Sequence, residues 1–199
     1  MADTDHRDFW EGLYAEGRDR WELGAAAPPL AARLRTGDLT MGRAIVPGCG
    51  RGHEVLLLAE LGWDAVGLDF AEAPLVDARA AAARRGLAAT FVQGDWFAAA
   101  ARPGWRGGFD LLVEHTCFCA IDPSRRGDYV DTAADVLRPG GRVIGLLWQC
   151  GAESGPPWDT TPEEMRRQFG RRFTVERLEP AVGSLERRGG EWLLEAVRA

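Results

Sequence analysis

The segment Ala44-Ile45-Val46-Pro47-Gly48-Cys49-Gly50-Arg51-Gly52-His53-Glu54 is where the chain is best equipped for chemistry: an apolar run ends in glycines that open a helical pattern. A turn this tight calls for positive φ, and a ligand approaches backbone closely only where no Cβ intervenes. The spacing is Gly-x-Gly-x-Gly, not the Gly-x-Gly-x-x-Gly that seats a pyrophosphate on a helix N-terminus. It therefore favours a nucleoside over a dinucleotide, although a purely structural strand-to-helix turn uses the same residues. Asp69, followed by Phe70, stands 19 residues after Gly50 at the end of the next apolar run. A carboxylate there accepts hydrogen bonds from two ribose hydroxyls.

Two more carboxylates follow later apolar runs. Asp95 suits an exocyclic adenine amine and Trp96 the face of the ring; the alternative is a turn aspartate followed by core aromatics. Glu114 ends Phe109-Asp110-Leu111-Leu112-Val113 and reads either as an ordinary strand-end acid or as a partner for a cationic cofactor. Next come His115, Cys117 and Cys119. Their alternation would aim three ligand types one way in an extended chain, but no fourth ligand is evident and a closed zinc site needs four, so no metal is assigned. His115 has the near-neutral unperturbed pKa suited to relieving a thiol of its proton, and a packed structural histidine is the alternative.

Composition narrows the choice. All 24 basic residues are Arg, which removes the P-loop lysine, pyridoxal Schiff bases, the Tyr-x-x-x-Lys dehydrogenase pair and protein-kinase chemistry. A net charge of -6 argues against phosphate-dominated nucleic-acid binding. The arginine pairs, Arg125-Arg126 and Arg187-Arg188 among them, read mostly as solvated charges without interleaved aromatics, with Arg125 placed to approach an acidic substrate. The four cysteines form no Cys-x-x-Cys pair, no signal-peptide pattern opens the chain, and no apolar run reaches the roughly 20 residues a membrane span needs. The expectation is a cytoplasmic protein with reduced thiols, no membrane or nucleic-acid partner, a small-molecule substrate, and a monomeric or weakly homodimeric state.

The elements that must hold these residues alternate. Strands are expected at Arg43–Val46, Ala65–Leu68, Ala89–Val92, Phe109–Val113 and Arg142–Trp148, with helices at His53–Leu61, Ala73–Arg85 and Arg125–Leu137. Gly86 reads as a helix-ending glycine and Pro139-Gly140-Gly141 as a turn before the last parallel strand. A short helix at Pro162–Phe169, capped by Thr161, and two final strands at Phe173–Leu178 and Trp192–Arg198 complete the chain. The 199 residues contain no linker or repeat and read as one domain.

Taken in order, these motifs resemble the class I S-adenosylmethionine-dependent methyltransferases, and within them the thiopurine S-methyltransferase family and its thiol and methyl halide branch. The resemblance rests on Val46 to Glu54, Gly67-Leu68-Asp69, Gly94-Asp95-Trp96-Phe97, Phe109 to Pro123, Leu137 to Gly141 and Gly155-Pro156-Pro157-Trp158, over about residues 9 to 170. It implies a doubly wound, Rossmann-like α/β fold: a mostly parallel seven-stranded sheet with an antiparallel C-terminal strand and helices on both faces. It further implies S-adenosylmethionine as cofactor, held by Gly48, Cys49, Gly50, Asp69, Phe70, Asp95, Trp96 and Glu114. An N-terminal helical lid, about residues 5–35, would place Trp10, Tyr14 and Trp21 over it; Tyr14 stands where the plant halide enzymes commonly have tryptophan. The acceptor wall would comprise His115, Cys117 and Trp158, with histidine where the family often has tyrosine.

The chemistry implied is in-line transfer of a methyl group to a thiol, bisulfide, thiocyanate or halide. A soft anion needs alignment and desolvation, worth roughly 7–11 kcal/mol of barrier in favourable cases, but no strong base. Other readings remain open at this point: another small-molecule acceptor, a nicotinamide-dependent oxidoreductase, or a nucleoside-binding module without catalysis.

Overall fold

Runs such as Ala44-Ile45-Val46 are apolar on both sides of the pleat, so a strand made of them needs cover on both faces. The computed structural model, which describes residues 4–199, supplies that cover. Strands β1 (Arg43–Pro47), β2 (Asp64–Asp69), β3 (Ala89–Gln93), β4 (Phe109–His115), β5 (Leu137–Trp148), β6 (Phe173–Pro180) and β7 (Glu191–Arg198) form one sheet in the order β3-β2-β1-β4-β5-β7-β6. The first five pair in parallel, and β7 runs antiparallel between β5 and β6. The expected mostly parallel, seven-stranded α/β sheet is present.

Alternating strand residues feed two apolar layers. Ala44, Val46, Leu111 and Val113 pack with helices α2 (Pro28–Leu34), α3 (His53–Glu60) and α4 (Ala73–Arg85). Ile45, Leu68, Leu112 and Val143 pack with α5 (Arg126–Val136) and α6 (Pro162–Phe169) on the other face. The punctuation works as its chemistry requires: Gly86 ends α4 with φ 62°, and the Thr161 hydroxyl accepts from the Glu164 N–H at 3.2 Å to open α6.

Two boundaries differ from expectation. Strand β5 begins at Leu137, which already pairs with Phe109, while Arg142 pairs with Leu111; Pro139-Gly140-Gly141 therefore bulges out of the strand instead of preceding it. Helix α5 runs straight into that strand, and Gly140, at φ 74°, absorbs the excursion. At the other end of the chain, the lid helix α1 (Arg7–Ala15) stops before Trp21, which stands in the following loop.

Candidate active site

The parallel strands deliver their C-terminal ends to one edge of the sheet, where ligands sit in open α/β folds. After β1, Gly48 and Gly50 adopt φ values of 56° and 51°. A Cβ on Gly48 would lie 2.8 Å from Cys117 Sγ, and one on Gly50 would lie 3.1 Å from the Tyr14 hydroxyl. The turn is therefore a cradle that only glycine leaves open. Asp69, at the end of β2, braces it: Oδ2 accepts from the Gly50 N–H at 2.7 Å and Oδ1 from the Ala71 N–H at 2.9 Å. Burial pushes this carboxyl up to about 6, while the backbone donors hold it down.

A cavity of about 770 Å³ opens over this edge, within the range of small-molecule sites. Strand ends contribute Gly48, Asp69, Phe70, Asp95 and Trp96, and the lid contributes Trp10, Tyr14 and Trp21. The rest of the wall includes Thr116, Cys117, Trp148, Pro156, Pro157, Arg187 and Arg188. Asp95 also caps the 3₁₀ turn beginning at Trp96, accepting from the Phe97 N–H at 2.9 Å. The Trp96 indole donates to Tyr129 O at 3.3 Å and packs on that ring, so it both borders the cavity and belongs to the core.

Several residues assigned to the site by sequence stand behind its wall. His115 Nδ1 lies 2.9 Å from Glu54 Oε1, and His115 borders a separate hollow of about 30 Å³ together with Cys49, Gly50 and Glu54. Burial pulls His115 down, but the Glu54 carboxylate overcomes it and holds the ring above its ordinary value. Glu114 is fully buried and accepts from the Phe118 N–H at 2.7 Å and from the Tyr129 hydroxyl. Burial pushes its carboxyl up to about 7. Trp158 packs its indole on Gly155 and its backbone N–H donates to Cys119 O at 2.8 Å, pinning the Pro156-Pro157 loop that does reach the cavity.

The stretch from His115 to Cys119 is not extended: Thr116 takes φ 64° and a 3₁₀ turn follows at Phe118–Ala120. Cys117 reaches the cavity while His115 points to the opposite side of the turn. Among the described residues no three His, Cys, Asp or Glu side chains gather as a metal-holding cluster, and all four cysteines are free thiols. Burial pushes the Cys117 thiol well above its ordinary value and Cys119 up to about 12, so both are neutral near pH 7.

The lid carries no fully buried residue of its own on α1 and is held mainly by polar ties. Glu11 accepts from the Glu72 and Ala73 N–H groups at 2.6 and 3.2 Å, placing a carboxylate on the exposed N-terminus of α4. Arg51 pairs with Asp19 at 2.7 Å, and His53 Nε2 lies 2.6 Å from Glu22 Oε1. Trp21 donates to the Tyr14 hydroxyl at 3.2 Å and meets the Trp10 and Tyr14 rings edge to face.

The arginine pairs are mostly solvated, as expected, with two exceptions. Arg126 is 1% and Arg188 3% exposed. Arg126 pairs with Glu164 at 2.9 Å and donates to Trp158 O and Asp159 O, fixing the loop beside the cavity. Arg188 was missed as a site residue because a charged pair within a glycine-rich stretch carries no periodicity that signals burial.

A side-chain-free turn, carboxylates suited to hydroxyl and amine donors, and aromatic faces suited to a sulfonium fit a nucleoside sulfonium cofactor. With the sheet order, they define an S-adenosylmethionine-dependent methyltransferase. The particular lineage is equally plain: the model of the thiopurine S-methyltransferase family matches residues 5–198, and the chain belongs to that family. It is 32% identical to thiocyanate methyltransferase 1 of Brassica oleracea over 163 residues, covering 79% of this chain and 70% of that one. It is 26% identical to a thiopurine S-methyltransferase of Pseudomonas paraeruginosa, covering 96% of both chains. In fold it matches Burkholderia thailandensis 1,6-didemethyltoxoflavin-N1-methyltransferase with a TM-score of 0.77 at 22% identity, covering 97% of this chain and 87% of that one. No helix among the described residues is long and apolar enough to cross a membrane.

Proposed function

We propose that this methyltransferase acts on a small soft sulfur nucleophile, a thiol, bisulfide or thiocyanate, with halide as a further acceptor of the same kind. The observation that carries this reading is the missing base. The wall formed by Cys117, Cys119, Trp148, Pro156, Pro157 and the Arg187-Arg188 turn presents neutral thiols, apolar surface and cations. Among the described residues no histidine lines the cavity, and His115 is committed to Glu54 behind that wall. Hydroxyl and amine acceptors need a proton removed, whereas a thiolate or a pseudohalide arrives as the nucleophile. The similarity to a thiocyanate methyltransferase supports the same acceptor class.

When bound, S-adenosylmethionine supplies an electrophilic methyl on a sulfonium whose leaving group departs neutral. The chain's own residues then bind, align and dry. Asp69 and Asp95 would accept from ribose hydroxyls and the adenine amine, Gly48 and Gly50 would let the backbone approach closely, and Phe70 and Trp96 would cover the ring. Trp10, Tyr14 and Trp21, which line the same cavity, would exclude water and offer aromatic faces to the sulfonium. Cys117 borders the transfer path, while His115, Glu114 and Trp158 hold the wall in place from behind. In this reading the 199 residues work in the cytoplasm as one catalytic unit, residues 5–35 being its lid.

Headspace detection of methanethiol, dimethyl sulfide or methyl thiocyanate after supplying bisulfide, methanethiol or thiocyanate tests the acceptor class. Methylated sulfur products are expected; transfer restricted to hydroxyl or amine acceptors would overturn it.

A further inference from the structure

Arg188 is 3% exposed, yet among the described residues no carboxylate lies within 4.0 Å of its guanidinium. One nitrogen donates to Trp21 O at 2.8 Å, and the group sits 4.6 Å from the Trp148 ring centroid. A guanidinium carries five donors, and a buried one is ordinarily paired. The bond to Trp21 O uses one guanidinium nitrogen, and Arg188 lines the large cavity, where a ligand could take up the remaining donors.

Its neighbours reinforce the charge. Arg187 donates to Arg20 O and Glu22 O, and both Arg20 and Arg187 line the same cavity without a carboxylate within 4.0 Å among the described residues. Glu191 and Glu54 act on Arg188 only through space, and burial holds its guanidinium below its ordinary value. The carboxylates that line the cavity come from elsewhere: Asp69 is held by the Gly50 turn, Asp95 caps its own 3₁₀ turn, and Asp5 is paired with Arg125. The wall holding Arg20, Arg187 and Arg188 is thus cationic, partly desolvated and unpaired.

Resting on the sulfur-acceptor reading above, we propose that Arg188 is a specificity-determining residue that binds a carboxylate carried by the acceptor itself. The preferred substrates are then thiols bearing a separate carboxylate, with the sulfur directed toward Cys117 and the acid toward Arg188. Because Arg187 and Arg188 also grip the carbonyls of residues 20–22, occupation of this anchor steadies the lid segment over the reacting atoms.

The test compares mercaptoacetate and 3-mercaptopropionate with their neutral amides, at matched thiolate concentration, in the wild type, Arg188→Gln and Arg188→Lys, with calorimetric S-adenosylhomocysteine binding alongside. The acids are expected to exceed the amides in kcat/KM by about 10- to 100-fold in the wild type, the worth of a charge-assisted contact. That ratio should fall to near one in Arg188→Gln and be partly retained in Arg188→Lys, with S-adenosylhomocysteine affinity lowered by no more than about fivefold, the loss of one lid contact. Should Arg188→Gln not fold, the wild-type ratio and the lysine variant decide. Equal use of acids and amides by the wild type overturns the proposal while leaving sulfur methylation standing. Weakened S-adenosylhomocysteine binding with an unchanged acid-to-amide ratio also overturns it, by assigning the guanidinium to the cofactor's own carboxylate. Absence of methylation on every sulfur compound overturns the acceptor class itself.

Discussion

Glu54 and His115 meet at 2.9 Å on the side of the glycine turn facing away from the large cavity, both nearly fully buried. Glu54 also accepts from the Ala27 N–H at 3.0 Å, tying the segment before α2 to the same pair. Burial works against both charges, yet His115 is held above its ordinary value and Glu54 below its own. The histidine's contribution to stability is fully present below its unfolded pKa and is lost as pH rises through its raised native value. Glu54's contribution is present above the ordinary carboxylate range and lost as pH falls through its lowered value.

Replacing His115 by Gln leaves Glu54 buried without its cation, which costs about 3–5 kcal/mol. Thermal melts should therefore show a large loss of stability under mildly acidic conditions that narrows as the solution becomes alkaline. The kcat/KM profile against pH should keep its wild-type shape. A profile that loses an ionisation near neutrality would instead make His115 the base for the acceptor.

Glu114 makes the complementary prediction. Its carboxyl sits at about 7 because burial outweighs the donors Phe118 N–H and Tyr129 O–H. A raised native pKa means stability that is present below the unfolded carboxylate value and lost as pH rises through about 7. Glu114→Gln should flatten that part of the stability profile. Glu114→Ala strands two buried donors and should cost about 2–5 kcal/mol in urea unfolding.

Adjacent strand positions explain how much of this was legible in the sequence. The glycine turn, Asp69 and the βα alternation could be read because each rests on local backbone requirements and on period. The alternation of β4 also held a clue: Glu114 and His115 are neighbours, so they point to opposite faces, Glu114 toward Tyr129 of α5 and His115 toward Glu54 of α3. They could not both face one ligand from the same strand. Arg188 was not legible because its hydrogen-bond partner, the Trp21 carbonyl, lies 167 residues away in sequence. The early start of β5 was hidden because Pro139-Gly140-Gly141 looks the same in a turn and in a bulge.

Glu11 offers a test of the lid. Its carboxylate on the α4 N-terminus is worth about 0.3–1 kcal/mol at a partly exposed site. Glu11→Gln should weaken S-adenosylhomocysteine binding by about two- to fivefold, expressed mainly as a faster off-rate in stopped-flow fluorescence. Added salt should reduce the difference between variant and wild type. An unchanged off-rate would show that the lid closes without this contact.

The most direct measurement is a calorimetric titration of the wild type and Asp69→Asn with S-adenosylhomocysteine across pH. Saturable one-to-one binding is expected, at least about tenfold weaker in Asp69→Asn. Wild-type affinity should be level above neutrality and decline as pH falls through about 6, where Asp69 takes up a proton. Binding that ignores both the substitution and the pH, or no binding at millimolar ligand, would contradict the assignment of this cavity to the cofactor.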